Sequence, residues 1–454
     1  MKDEQALNKL LSFIADTSWD SLDEAVKRQA VKCFLDLAGV LTAGTKNKSS
    51  QTIAGYVADN YPVGQCTILA TGKRTNLIGA AMANGMAANA LDMDDGFSLL
   101  RGHPGAGFFG ALISAAELTQ CSYGEFLTAL VVSYETSIRQ GFAVRDFYKW
   151  DHSTGCYSAF GAAAGVGKLM GLSSRQLEMA LSIADFIAPL NPAKRSCYYP
   201  SMNKDGVYWG QHAGAQAVVM AMNGITGQNP VILDDSYLPY IHTLGEKYYF
   251  FDLYIKFYSC CRWVHSPIRA ITDLESKYRF SIEDISRIDV YSFGYAGTLY
   301  KETPLCEDEA QYNIKYPIAA KLLFGDCGPL ESSTAKMLDP QIPPILEKIT
   351  FHYDAMYDSL FPARRMSRVE LVMQDGTVLV SDAFEPEGDH NAEVSLRQIE
   401  DKISRINGLY ASDSLVRNLI EVVENTPADA PFAVVLETIK ALAITNEHPE
   451  IQFI

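Results

Sequence analysis

The sequence predicts a mainly α protein with a smaller α+β part, and three observations carry that expectation. Helix-period apolar stripes and Ala/Gly-rich segments fill the chain up to about residue 260. Alternating and β-branched stretches gather between residues 285 and 384, and helical periodicity returns from Ser395. The division expected is a large helical domain over 1–266, an α+β lid over 267–392, and C-terminal helices over 393–454 that return to the helical domain.

Taken in order, Ser21-Leu22-Asp23-Glu24 reads as a capping box opening a helix with Val26, Ala30, Phe34 and Leu35 on one stripe. "NLIGAAMANGMAANALD" (76–92) holds so many small residues that its helix must pack backbone-close against neighbours. "PGAGFFGALISAAEL" (104–118), "GCYSAFGAAAGVGKLMG" (155–171) and "GAQAVVMAMNGITG" (214–227) read the same way. Strands are expected at 285–293, 347–354, 367–374 and 377–384, the last two joined by the hairpin signal Asp375-Gly376. "SLRQIEDKISRIN" and "SDSLVRNLIEVVEN" close the chain as helices.

Composition narrows the function. With 454 residues, 48% hydrophobic and 20% charged, the chain is globular and long enough for two domains. A net charge of −16 argues against nucleic acid or an anionic membrane as a partner. The first residues lack the basic flank and apolar run of a signal peptide, and the uncharged stretch 209–233 is too polar to span a bilayer. Nine cysteines without CxxC spacing fit a reduced, cytoplasmic protein and no metal framework.

The densest chemistry is "LDMDDGFSLLRGHPGAG" (91–107). Asp92, Asp94 and Asp95 fall where the 76–92 helix should end, with Gly96 as its stop; negative charge there opposes the helix dipole by ~0.3–1 kcal/mol per group. The bland alternative is a solvated loop cluster. Calcium-loop spacing fails, because Gly96 falls at position 5 and His103 at position 12. A DxDD cluster also occurs in helical terpene cyclases, but nothing else in the chain supports that class.

His103 precedes Pro104 and is expected at the N-cap of the following helix. His152, followed by Ser153 and Thr154, repeats the arrangement ahead of another small-residue helix. Helix N-termini favour bound anions and a neutral imidazole. Lys204 lies in a loop before a third such helix; Arg101, Lys256, Arg262 and His265 add positive charge, with surface cations as the default reading. Tyr312 and Tyr316 are one turn apart and read as core unless one edge reaches a cleft.

"NGMAANALDMDDGF…RGHPGAG", "HSTGCYSAFGAAAGVGKLMGL", "MNKDG", "IKFYSCCRWVHSPI", "QYNIKYPIAAKLL" and "PEGDHNAEVSLRQIEDK" occur in that order. Together they resemble the MmgE/PrpD family, whose members include 2-methylcitrate dehydratase, cis-aconitate decarboxylase and iminodisuccinate epimerase. The resemblance implies a homodimer with an all-α domain, an α+β lid and an active site between them, working without metal or organic cofactor. It implies catalytic positions at Asp92, His103, His152, Lys204, Lys256 and Tyr316. Arg101, Arg262, Asp95, Ser153 and His265 are the accompanying candidates for binding a small polycarboxylate. Gly96 departs from the small hydroxyl residue of several members, and the Asp92–His103 spacing resembles the epimerase pattern. The activity expected first is a 2-methylcitrate-type dehydratase, with a cis-aconitate-type decarboxylase and an iminodisuccinate-type epimerase as alternatives. An inactive helical scaffold is the alternative of a different class.

Overall fold

The computed structural model describes residues 3–149 and 153–447. It is mainly helical, with a small α+β part, and divides into two compact units. The first comprises Met1–Ser196, Asn203–Leu253 and Ser395–Gln452; the second is built chiefly of Tyr254–Val394.

At the centre of the first unit lies the helix Leu77–Asn89, buried on nearly every side. Its alanines and glycines are what three neighbours require. A β-carbon at Gly44, at the end of the helix Glu24–Gly44, would collide with the Ala87 carbonyl. One at Gly110, in the helix Ala106–Thr119, would lie 2.6 Å from the Asn84 carbonyl carbon. One at Gly85 would lie 2.7 Å from Gln211 of the helix Val207–Met222. Helices this close bury backbone against backbone, where even one added methyl is felt.

The C-terminal helices complete this unit. Phe432 stacks on Phe126 with ring centroids 4.1 Å apart, and Phe34 meets both rings edge-on. From the helix Leu396–Asn407, the Asn407 amide donates to the Gly39 carbonyl at 2.9 Å and accepts from Thr42 at 2.9 Å. Such satisfied buried amides fix one docking of the helix.

The second unit holds a four-stranded sheet in the order Ile349–Tyr353, Ile285–Ser292, Ser367–Met373, Val378–Val380. The first pair is parallel and the others antiparallel, with Ile288 opposite both Ile349 and Leu371. Ile285, Ile288, Val290, Val369 and Leu371 share a core with Val264, Ile268, Ile271 and Leu274 of the helix Arg262–Lys277. That packing puts the unit boundary at 253/254 rather than at 266/267, because this helix spends its apolar stripe on the sheet.

Several local expectations shift. The Leu77–Asn89 helix stops three residues before Asp92, and Gly96 lies in a short extended segment instead of terminating a helix. Ser21 belongs to a separate 3-10 turn, so Asp23 occupies the N-cap of the Glu24–Gly44 helix. The helix expected at 214–227 runs from Val207 to Met222. The Asp375-Gly376 turn forms as expected, with Gly376 at φ +87° and the Met373 N–H donating to the Thr377 carbonyl.

Candidate active site

The aspartate loop is built by the way its helix ends. Asp92 takes φ +50°, and its N–H donates to the Asn89 carbonyl at 2.9 Å, so the chain turns inward. Asp92, Asp94 and Asp95 are all fully buried; the solvated-loop alternative does not describe them. Carboxylates withdrawn from water cost heavily unless neighbours satisfy them.

Those neighbours are specific. Asp94 accepts from the Asn89 side-chain amide at 2.9 Å, and its other oxygen lies 3.0 Å from His103 Nδ1. Asp92 Oδ1 lies 3.5 Å from His103 Nε2. Asp95 accepts from the Gly105 N–H at 3.1 Å and from the Tyr134 hydroxyl. Gly105 makes the Asp95 contacts possible, and Gly102 leaves room for Tyr157 beside the loop. A β-carbon at Gly105 would overlap the Asp95 carboxylate and the Tyr134 hydroxyl, and one at Gly102 would overlap the Tyr157 hydroxyl.

His103 is nearly buried, and its ring is oriented from both sides. Nδ1 also faces the Asp95 carbonyl at 3.1 Å. A carbonyl oxygen only accepts, so the neutral ring carries its hydrogen on Nδ1, and Nε2 is the nitrogen that faces Asp92. The ring does not sit at the helix N-cap, as Pro104 suggested. The helix starts at Ala106 with Gly105 before it, and His103 adds a preliminary turn through its carbonyl, which accepts from the Gly107 N–H at 3.2 Å.

The His103 backbone is tied in turn. Its N–H donates to Thr154 Oγ1 at 3.0 Å, and the Thr154 hydroxyl and N–H both donate to Asp205. Asp205 belongs to a run of three left-handed residues: Lys204 at φ +36°, Asp205 at +52° and Gly206 at +65°. For the two non-glycine residues this conformation costs ~1–2 kcal/mol each. Strain of this kind persists where the surroundings over-determine it. Here the Asp205–Thr154 bonds hold one side, and Lys204, fully buried, directs Nζ to the Ala90 carbonyl at 3.3 Å.

Burial raises the Asp205 carboxyl to about 6 against the opposing pull of His103, and raises Asp95 to about 7. The folded state therefore holds a proton on Asp95 between roughly pH 4 and 7 that the unfolded chain has released. This stabilisation is present at low pH and is lost as pH rises through about 7. Asp95→Asn is expected to remove about 1 kcal/mol of the stability that the parent loses between pH 6 and pH 8. Urea denaturation of both proteins at the two pH values measures the difference.

In the first unit, Arg101 sits in the same loop at φ +55° with its N–H on the Phe97 carbonyl, and Ser153 is buried with its N–H on the Asn191 carbonyl. His152 lies outside the described residues. In the second unit, Lys256 is fully buried. Arg262 lies 3.4 Å from Asp389, donates to the Glu387 carbonyl at 2.6 Å and stacks over the Tyr254 ring. His265 directs Nε2 to the Cys260 carbonyl at 3.1 Å, and the Tyr316 hydroxyl donates to the Glu331 carbonyl at 2.5 Å.

The structure thus joins Asp92 and His103 directly and adds Asp94, Tyr134, Thr154 and Asp205 around them. Asp94 stood in the quoted cluster, but a helical phase that ends at Asn89 cannot single it out. Asp92, Asp94 and His103 also offer one ligand atom each within 4.8 Å of one another, a donor set that suits a divalent cation. The same arrangement also suits a proton, because an imidazolium at His103 would meet one carboxylate at each ring nitrogen.

Fold and site together define a mainly helical protein whose helical unit encloses a buried imidazole–carboxylate centre. Residues 8–248 match the MmgE/PrpD N-terminal domain and residues 258–427 the MmgE/PrpD C-terminal domain, so the chain belongs to the MmgE/PrpD family. Among its relatives is a cis-aconitate decarboxylase of Aspergillus terreus, 23% identical over 92% of both chains. Another is the cis-aconitate decarboxylase-like protein oryM of Aspergillus oryzae, 27% identical over 70% of this chain and 73% of the relative. Among the described residues, no helix is long and apolar enough to cross a membrane.

Proposed function

We propose that this protein is a lyase that acts on a small di- or tricarboxylic acid by proton transfer next to a carboxylate. The observation that carries the reading is the buried His103 ring, with an Asp94 oxygen 3.0 Å from Nδ1 and Asp92 Oδ1 3.5 Å from Nε2. Nε2 gives a proton to, or takes one from, the carbon beside the substrate carboxylate. Asp94 holds the ring in the tautomer this needs and stabilises the imidazolium. Asp92 Oδ1, 3.5 Å from Nε2, faces the positive charge of the imidazolium when it forms. Asp95, bonded to Tyr134 and Gly105, positions the loop instead of binding substrate. Lys204 and Arg101, both in the helical unit, supply positive charge for the substrate carboxylates and the enolate-like charge that develops.

Within this class, the relatives' names support loss of CO2 from a cis-aconitate-like acid. In that reaction the carbanion left behind is protonated by His103. Dehydration of a 2-methylcitrate-like acid is the second reading, favoured by carboxylates at both ring nitrogens. There one group removes the proton and another protonates the departing hydroxyl. The homodimer implied by the family resemblance belongs to the same proposal.

Incubation with cis-aconitate, citrate and 2-methylcitrate, followed by NMR and mass spectrometry, tests it. Loss of 44 mass units supports the first reading and loss of 18 the second. If no acid of this panel is changed, the lyase reading fails for these substrates.

A further inference from the structure

We propose that Lys402 is a positioning residue for His103, acting through the Met93 carbonyl that it holds between Asp92 and Asp94. The proposal rests on the reading of His103 as the acid–base group. Lys402 lies on the Leu396–Asn407 helix, 309 residues along the chain from Met93, and is fully buried. Its Nζ donates to the Met93 carbonyl at 2.7 Å and to Asp36 Oδ1 at 2.6 Å, and Asp36 is fully buried on the Glu24–Gly44 helix.

Met93 is the residue between the two carboxylates that flank the His103 ring, one toward Nε2 and one on Nδ1. Holding its carbonyl holds the spacing and direction of both. A buried ion pair is a poor way to stabilise a fold, since apolar residues of the same shape often do as well or better. A tether at this peptide gives the pair a use that packing alone does not require.

The charges around the two groups set the expected electrostatic effect. Lys402 is faced by Asp36 and Asp94, with Arg405 on its own helix. His103 is faced by Asp92, Asp94 and Asp205. The ammonium thus offsets negative charge at Asp94, which lies 3.0 Å from the ring's Nδ1, and its removal favours the imidazolium.

The two halves of the pair separate positioning from mere pairing. Asp36→Asn breaks the ion pair and keeps the tether; Lys402→Met breaks both. The double variant removes the unpaired buried charge that could unfold Lys402→Met alone. Positioning predicts that Lys402→Met and Asp36→Asn/Lys402→Met each lose about 10²-fold in kcat with little change in KM, while Asp36→Asn loses far less. NMR titration of the His103 ring reads the same effect without turnover: its midpoint rises in Lys402→Met and does not rise in Asp36→Asn. If Asp36→Asn matches Lys402→Met in both kcat and titration, or if neither variant moves the titration, the proposal is overturned. Absence of turnover in the parent protein would sink the lyase reading alone, because the titration still tests Lys402.

Discussion

Replacing His103 by Gln lowers turnover of the best acid by ~10²–10⁴-fold, the range expected when a general acid–base group is lost. The side chain is nearly buried, and its ring contacts include Asp92, Asp94 and the Asp95 carbonyl. Gln is close in volume and can still donate toward the Asp94 side, which keeps the loop folded while removing the titratable nitrogen. Steady-state kinetics beside a thermal melt separates the two effects. The melt should move by only a few degrees while kcat collapses. A variant that retains most of its activity would mean that the proton moves elsewhere.

The second large effect is expected at Asp94, ahead of Asp92. Asp94→Asn leaves a neutral amide at Nδ1 in place of the carboxylate that fixes the tautomer and offsets the imidazolium charge. Loss of such a carboxylate behind a catalytic imidazole costs up to ~10⁴-fold in kcat. Asp92→Asn removes a looser contact, 3.5 Å from Nε2 against 3.0 Å for Asp94 at Nδ1, and is expected to cost less. Kinetics of the two single variants on the same acid give the order. If Asp92→Asn is the more damaging, the work of the site lies on the Nε2 side and the orienting role of Asp94 is wrong.

Much of the architecture was legible because it obeys short-range rules. The Ala/Gly segments signalled close helix packing, and the Gly44–Ala87 and Gly110–Asn84 approaches are that packing. The alternating stretches between residues 285 and 384 formed one sheet, with the Asp375-Gly376 turn in place. Helix ends were less legible. Asn89 stops its helix early because the turn at Asp92 carries the three carboxylates inward, a tertiary demand that no local propensity reveals.

The candidate site divides the same way. Its sequence-local half, the aspartates and His103, was visible in one stretch of seventeen residues. Its remote half was not. Tyr134 lies in the middle of the Tyr123–Tyr148 helix, where it reads as one more aromatic of the core. Lys402 looks like any surface lysine of an amphipathic helix until the fold buries it against Asp36. Asp205 stood in the quoted "MNKDG", but only the left-handed run at Lys204–Gly206 turns it onto Thr154. Partners supplied from across a fold leave no spacing to read.

If His103 carries the proton of the proposed lyase reaction, turnover in heavy water follows that proton to its carbon. The parent protein and His103→Gln are given cis-aconitate, and the product is followed by proton and deuterium NMR. Product with one deuterium at the carbon beside a carboxylate is expected, formed by the parent at least ~10²-fold faster than by the variant. Product formed by both proteins at equal rates, or formed by the parent with no deuterium at that carbon, would contradict it.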